Sequence, residues 1–241
     1  MKPLLSSPEE EYLTHIGKVE SKLTSIFPVF KPTLIRVLNW NKENNSLKEA
    51  FDQMATLHDL GKLAKRWQDR ISPFKPPLPS HASIGAAYLW KILPDKLKEP
   101  ISFAVAIHHT DRGLIGDNIE RPDVQAINEY IADYSGNLIW DSRVDELQEK
   151  YFPSEVKKLN VNSLKEMARE LRLWARGCSL AEQHRRRLQA SLAHHIVKLC
   201  DISAAIERKE LKKEDDKDYY GGWLMVETIG KYVGAISKRM E

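Results

Sequence analysis

Apolar residues recur three and four residues apart along most of the 241-residue chain. This spacing places them on one face of an α-helix, and few stretches alternate as a half-buried strand would. We therefore predict an all-α fold. No internal repeat and no linker-like stretch divides the chain, so we expect residues 1–241 to form a single domain. After a first helix, the predicted helices cover 46–71, 80–93, 96–109, 123–133, 154–176, 179–209 and 221–238.

The first helix is predicted to begin at Ser7 and to end near Pro28. Ser7 is a favoured capping residue, and the proline and acidic residues that follow it are typical of the first turn of a helix. Proline disrupts a helix interior, which favours an end at Pro28. Residues 133–140 lack helical spacing and are compatible with a short hairpin.

Composition excludes several classes of protein. The two cysteines, Cys178 and Cys200, fit neither a metal-ligand spacing nor a disulfide framework, which is typical of a reducing compartment. No apolar run approaches the roughly 20 residues that span a bilayer, and the N-terminus becomes acidic too early for a secretory signal. We therefore expect a cytoplasmic protein without a membrane partner. The net charge of +3 permits a nucleic-acid partner without requiring one.

Histidines lie at inward positions of three predicted helices. His58 follows Met54 at helical spacing and is itself followed by Asp59, His81 opens the next helix, and His108-His109 end an apolar run. One buried histidine is readily satisfied by hydrogen bonds within a core. Several of them on separate helices favour a shared set of metal ligands.

Two further residues fit this interpretation. Asp201 lies on a long helix with Val197 and Ala204 at helical spacing, where an unpaired carboxylate would be costly, so a cation is expected beside it. That cation is either a metal ion or an Arg or Lys from another helix. His15 borders the apolar stripe of the first helix and is the weakest member when taken alone.

The order of these residues along the chain resembles the HD superfamily of metal-dependent phosphohydrolases. The adjacent pair His108-His109 after a separate His81 is more narrowly similar to the HD nuclease domain of the CRISPR type I effector nuclease-helicase. The resemblance extends from His15 to Ala205 and implies an HD-domain helical fold with a metal site in the core of the helix bundle. His194 and His195 match no position of the family pattern.

The resemblance also implies roles for individual residues. Asp59 would be shared by two metal ions, and Lys62 would contact the scissile phosphate, which makes these two the catalytic residues. A first ion would be held by His15, His58, Asp59 and Asp201. A second ion would be held by His81, His108 and His109 in addition to Asp59.

The chemistry of such a site follows from its ligands. Two neighbouring ions can lower the pKa of a water between them and neutralise the charge of the attacked phosphate, so no protein nucleophile is required. Imidazole ligands favour Mn²⁺, Fe²⁺, Co²⁺ or Ni²⁺ over Mg²⁺, which prefers oxygen. We therefore expect activity with these transition metals at least equal to that with Mg²⁺.

The family resemblance implies single-stranded DNA as the substrate. Basic residues can line a path for it, and two tryptophans can stack on bases. An exposed helix face explains the arginine run equally simply, and tryptophans more often pack in a core. These residues are Lys65, Arg66, Trp67, Trp90, Arg112, Arg121 and the run His184-Arg185-Arg186-Arg187. No Gly-Lys pair is followed by Ser or Thr, so the sequence has no Walker A loop and no helicase domain is expected. A separate CRISPR helicase subunit and an RNA-guided surveillance complex would then be partners.

Two other functions are compatible with the same residues. One is an HD phosphohydrolase of small nucleotides, such as a nucleotidase or cyclic-nucleotide phosphodiesterase, with a closed pocket. The other is a catalytically silent HD module that serves in assembly, against which the retained ligand set argues.

Overall fold

The computed structural model describes residues 2–41, 46–71, 81–109, 131–210 and 235. Over these residues the chain is mostly helical, which confirms the predicted fold class. One antiparallel ribbon precedes the helices and pairs β1 (Leu5–Ser7) with β2 (Glu10–Glu11). The α-helices are α1 (Tyr12–Val37), α2 (Ser46–Leu57), α3 (Lys65–Ile71), α4 (Ala82–Ile92), α5 (Lys98–Ala106), α6 (Val161–Arg176) and α7 (Leu180–Glu210). Shorter 3₁₀ helices cover Leu60–Leu63, Ser142–Glu146 and Ser154–Lys158.

The core lies among α1, α4, α5 and α7. Helix α5 packs against both α4 and α7, and α7 packs along α1. The predicted stripe of α1 is fully buried, with Tyr12, Ile16 and Val19 all at 0% exposure. Among the described residues, no helix is long and apolar enough to cross a membrane.

The predicted start of the first helix is wrong. Residues 5–11 form the ribbon instead, and α1 begins at Tyr12, whose backbone N–H donates to the carbonyl of Leu4 at 2.8 Å. The ribbon is held from outside, because the side-chain amide of Gln68 bonds the N–H of Leu5 at 3.0 Å and its carbonyl at 2.8 Å. These tertiary bonds replace the helical bonds that the local sequence favours.

The predicted end of the first helix at Pro28 is also wrong. Helix α1 continues through Pro28 and Pro32 to Val37. Both prolines are exposed, so water can satisfy the carbonyls that lose their helical partners. Beyond them Leu34 is fully buried, and its apolar packing offsets the cost of the prolines.

Two predicted helices are interrupted. The helix over 46–71 ends at Leu57 and gives way to a 3₁₀ helix at Leu60–Leu63, where Gly61 weakens helix propensity. The helix over 154–176 begins as a 3₁₀ helix, and α6 starts only after Asn160, whose side chain accepts the N–H of Ser163 at 3.0 Å. An asparagine cap of this kind is visible in the sequence.

The hairpin considered for residues 133–140 is present. Ala132 pairs antiparallel with Leu138, and a carboxylate oxygen of Asp133 accepts the N–H groups of Ser135 and Asn137. The last three residues of the predicted helix over 123–133 are therefore not helical. The rest of that helix, and the helix over 221–238 apart from residue 235, lie outside the described residues.

Candidate metal centre

The predicted ligands come from five separate places in the fold, and four of these are helix ends. His15 lies in the first turn of α1, and His81 lies immediately before α4. The dyad His58-Asp59 directly follows α2. His108 and His109 follow α5 in the same way, whereas Asp201 lies within α7.

The structure brings all seven predicted ligands together in two groups. Within each group the ligand atoms lie within 4.8 Å of one another. Asp59 belongs to both groups. The first group is His15, His58, Asp59 and Asp201, and the second is Asp59, His81, His108 and His109.

Each oxygen of Asp59 faces a different group. Oδ2 lies 3.3 Å from Nε2 of His15 and 3.4 Å from Nε2 of His58. Oδ1 lies 3.1 Å from Nε2 of His81 and 3.5 Å from Nε2 of His108. The carboxylate is fully buried. Its geometry is that of a ligand able to bridge two ions.

In two histidines, one ring nitrogen contacts a backbone carbonyl and the other is in a position to bind a metal ion. Nδ1 of His58 lies 2.9 Å from the carbonyl of Ala55, and Nδ1 of His108 lies 2.6 Å from that of Val105. A carbonyl only accepts, so both Nδ1 atoms carry the proton and both Nε2 atoms present a lone pair. These Nε2 atoms are buried without a hydrogen-bond partner among the described residues. A buried acceptor left unpaired is costly, and a divalent ion would satisfy it.

The charges around the first group also fit a cation. Burial opposes protonation of His15, but three carboxylates within 3.3 Å of its ring nitrogens favour the charged form and raise its pKa to about 10. These carboxylates belong to Asp201, Asp59 and Glu10. Burial likewise opposes ionisation of Asp59 and Asp201, but the neighbouring imidazoles outweigh it and hold both pKa values below their usual range. The His15 imidazolium thus carries the charge that a metal ion would supply.

The alternative partner for Asp201, an Arg or Lys from another helix, is not found in the part of the chain that the structure describes. Oδ1 of Asp201 lies 3.2 Å from Nε2 of His15 and 4.0 Å from Nε2 of His58. Within the described part of the chain, no Arg or Lys forms an ion pair with Asp201. Together with the unpaired imidazole nitrogens, the His and Asp donors are placed to hold divalent metal.

Lys62 lies beside the shared carboxylate. Its Nζ is 2.6 Å from Oδ2 of Asp59 and 5.8 Å from the ring centre of Trp67. The side chain is largely buried, so its ammonium group is directed by packing rather than by solvent. A fixed positive charge is therefore available next to the ligand groups.

Glycines allow the close packing that holds the dyad. A Cβ on Gly85 of α4 would lie 2.4 Å from the carbonyl oxygen of Leu57 and 2.6 Å from that of His58. A Cβ on Gly61 would lie 2.3 Å from the carbonyl oxygen of His81. The backbone around the dyad thus contacts α4 at distances that only glycine permits.

The comparisons with known proteins concern the fold. The sequence matches no protein-family model, and no curated protein matches it. Among solved structures, the chain is similar to the CRISPR-associated Cas3 HD domain protein of Methanocaldococcus jannaschii, with a TM-score of 0.64 at 16% sequence identity. The match covers 82% of this chain and 100% of that chain. The chain has the HD-domain fold.

The tryptophans and basic residues considered for contact with DNA lie outside the ligand groups. Trp67 is buried at 2% exposure and packs edge-on against His81, so it is not available for base stacking. Trp90 is partly buried and packs against the core. Lys65 and Arg66 are exposed on α3, close in sequence to Lys62. Arg112 and Arg121 lie outside the described residues.

The arginine run of α7 is remote from the centre. His184, Arg185 and Arg187 are exposed, whereas Arg186 donates to the carbonyl of Trp174 at 2.5 Å. Arg187 lies fourteen positions before Asp201 in the same helix, which corresponds to about 21 Å along its axis. This run can contact only a substrate or partner that extends well beyond the metal centre.

His194 and His195, which match no position of the family pattern, contact other parts of the fold. His195 packs against Phe30 with ring centres 5.9 Å apart. His194 is buried and bonds the backbone of Ile107, the residue directly after α5. Neither belongs to a ligand group.

Glu10 contacts a predicted ligand, although nothing in the sequence indicated such a role. Its Oε2 lies 3.2 Å from Nδ1 of His15, and Lys18 bonds its Oε1 at 2.8 Å. Burial opposes ionisation, but the hydrogen bonds from His15 and Lys18 lower the pKa of Glu10 to about 2. In the sequence, Glu10 is indistinguishable from the acidic residues of an ordinary helix start.

Proposed function

We propose that this HD domain is a metal-dependent nuclease that hydrolyses phosphodiester bonds of single-stranded DNA in CRISPR interference. The observation that carries the proposal is Asp59, which lies between two ligand groups with one oxygen directed at each. A carboxylate in this position is suited to hold two ions at the spacing used for phosphodiester hydrolysis.

The proposed roles divide between ions and side chains. When bound, the two ions would supply a nucleophile at neutral pH and neutralise charge on the phosphate. His15, His58 and Asp201 would hold one ion, and His81, His108 and His109 the other. Lys62, whose Nζ lies beside Asp59, would bind a non-bridging phosphate oxygen and orient the scissile bond.

The polyanionic substrate is supported by charge near the centre. Lys65 and Arg66 are exposed on α3, three and four residues after Lys62. Positive charge at this position favours a strand that continues past the scissile phosphate over a free mononucleotide. The similar solved structure carries the description of a CRISPR-associated protein, which supports the proposed biological setting.

The partners are part of the same proposal. We propose that the 241 residues act as one HD domain, and they contain no Walker A loop. Opening of duplex DNA would therefore depend on a helicase motor supplied by sequence outside these residues, recruited together with an RNA-guided surveillance complex.

A competition assay tests the proposal. Labelled single-stranded oligonucleotide is incubated with the protein and an excess of unlabelled mononucleotide or cyclic nucleotide, with Mn²⁺, Co²⁺, Ni²⁺, Fe²⁺ or Mg²⁺ in turn. We expect cleavage of the oligonucleotide that small nucleotides do not suppress, at least as fast with the transition metals as with Mg²⁺. Hydrolysis of small nucleotides in preference to the oligonucleotide would identify a nucleotide phosphohydrolase. Inactivity across the whole series, with no metal bound, would identify a silent module.

A further inference from the structure

Glu10 lies behind His15, on the side of the ring opposite the ligand groups. The carboxylate is buried at 4% exposure, and its Oε2 lies 3.2 Å from Nδ1 of His15. Nε2 of the same ring lies 3.3 Å from Asp59 and 3.2 Å from Asp201. Each nitrogen of the imidazole therefore faces a carboxylate.

The two oxygens of Glu10 have separate partners. Oε1 accepts a hydrogen bond of 2.8 Å from Nζ of Lys18, which lies about one helical turn after His15. Oε2 faces the ring and also lies within 3.4 Å of the hydroxyl of Ser6. Lys18 compensates the buried negative charge, so the carboxylate can stay ionised beside the ring.

The ribbon that carries Glu10 is fixed to the site. Gln68 bonds both backbone groups of Leu5 and also donates to the carbonyl of Lys62 at 2.7 Å. Arg143 donates to the carbonyls of Lys2 and Pro3 at 3.0 and 2.9 Å. The position of Glu10 is therefore set by contacts from α3 and from the segment before α6, rather than by its own flexible chain.

The position of His15 in its helix explains why a side chain is needed. His58 and His108 follow the ends of α2 and α5, where the last carbonyls of a helix are not all used by the regular helical pattern and can accept from Nδ1. His15 lies at the opposite kind of end, where N–H groups rather than carbonyls are unsatisfied. An acceptor for its Nδ1 has to come from elsewhere in the fold.

We propose that Glu10 is a positioning residue that accepts the Nδ1 proton of His15 and so directs the Nε2 lone pair at an ion shared with Asp59 and Asp201. The inference rests on the metal centre of the proposed function. An ionised acceptor makes the imidazole a stronger ligand than a backbone carbonyl does, and it fixes the orientation of the ring.

The test measures Mn²⁺ binding by calorimetry on the full chain, compared among wild type, Glu10→Ala, Glu10→Gln and Glu11→Ala. Loss of a group that supports a ligand typically weakens metal binding by about 10- to 100-fold. We expect this loss for one of two ions in Glu10→Ala, because the second group does not contact Glu10. Glu10→Gln, which keeps a neutral acceptor of the same shape, should recover part of the affinity. Glu11 is the exposed neighbour on the same strand, and its variant should bind as wild type does.

A second measurement is independent of catalysis. In ¹⁵N NMR of the protein loaded with Zn²⁺, a diamagnetic probe, the Nδ1 resonance of His15 should move in Glu10→Gln and stay in place in Glu11→Ala. Equal Mn²⁺ affinity of the Glu10 and Glu11 variants, with an unchanged His15 resonance, would overturn the inference and leave the metal centre standing. A wild-type chain that binds no metal would overturn both. If Glu10→Ala does not fold, the near-isosteric Glu10→Gln decides the question.

Discussion

Nε2 of His81 lies 2.7 Å from Nε2 of His109, the separation of a hydrogen bond between two ring nitrogens. Both atoms cannot carry a proton at this distance, so at least one of them presents a lone pair to the other. Burial lowers the pKa of His81 to about 4, although Asp59 opposes this, which keeps His81 from becoming an imidazolium near neutral pH. A proton on either nitrogen would lie where the two ligand atoms converge, and an ion bound by both would have to displace it.

Metal affinity should therefore rise with pH. Against the effect of burial, the surrounding carboxylates raise the pKa of His15 to about 10, so at pH 7 its Nε2 has to lose a proton before it can bind an ion. Each proton released makes the apparent affinity about tenfold stronger per pH unit. Calorimetric titration with Mn²⁺ between pH 6 and 8 measures how steeply the affinity changes with pH. Repeating it in buffers of different ionisation enthalpy gives the number of protons released on binding. An affinity that does not change with pH would contradict the proposed ligand role of His15.

Removal of the shared carboxylate should abolish hydrolysis. Asp59→Ala takes a ligand from both groups at once, so the loss should exceed the roughly 100-fold that follows from changes around metal ligands. Rates on a single-stranded oligonucleotide with Mn²⁺ and the bound metal per chain are measured together.

The matched control for this variant is Asp69→Ala. Asp69 is an exposed carboxylate on α3, 55% exposed at its side chain and paired with Lys65. It should retain wild-type activity and metal content. If Asp59→Ala kept two ions per chain and most of its activity, the shared-ligand assignment would be wrong.

The ligands could be recognised from the sequence because their signals are local. His58, His81 and His108 each occupy an inward position defined by apolar spacing around them, and their order along the chain matches a known pattern. Their convergence is a long-range property. His15 and Asp201 meet only because α1 packs along α7, a contact that no local spacing encodes.

Glu10 illustrates what local sequence cannot reveal. A glutamate after Ser-Pro is typical of a helix start, yet Gln68 and Arg143 hold the preceding residues in a ribbon and bury the carboxylate. The interrupted helix at the dyad has a similar origin. Gly61 is compatible with both a helix and a turn, and contact with α4 decides between them.

Lys62 should contribute to turnover rather than to metal binding. Its ammonium lies 2.6 Å from Asp59 and competes with cations for that oxygen, so Lys62→Met should bind Mn²⁺ at least as tightly as wild type. Loss of a charged hydrogen bond to the phosphate should lower kcat/KM by about 10- to 100-fold. Lys158→Met is the control, because Lys158 is exposed, pairs with Glu155 and lies outside both the metal centre and the basic residues of α3. Weaker metal binding by Lys62→Met would place the lysine in a ligand-supporting role instead.

His194 should affect acid stability more than activity. Burial, together with Lys198, lowers its pKa to about 4, below the unfolded value of about 6.5. The unfolded chain therefore binds the proton first, and the stability from neutral His194 is present above pH 6.5 and is lost as the pH falls through 4. His194→Gln can still donate to the carbonyl of Ile107, and its Tm should fall less between pH 7 and pH 5 than the Tm of wild type does. Its rate on a single-stranded oligonucleotide at pH 7.5 should stay within a few-fold of wild type, and an inactive variant would mean that His194 belongs to the site.

The contact between α4 and the end of α2 should be intolerant of a single methyl group. In Gly85→Ala the new Cβ would meet the carbonyl oxygens of Leu57 and His58 at 2.4 and 2.6 Å. Both are backbone atoms that cannot rotate away, so α4 or the dyad must shift, at a cost of about 1–3 kcal/mol in the free energy of unfolding. Because the dyad carries two ligands, metal affinity should fall with stability.

Gly17→Ala is the matched control, since Gly17 lies on the exposed face of α1 and a Cβ added there would have nothing within 4 Å. An alanine there should stabilise the helix by roughly 0.5–1 kcal/mol. Urea unfolding of the two variants measures both changes, and the same sign for both would show that α4 does not approach the dyad as closely as described.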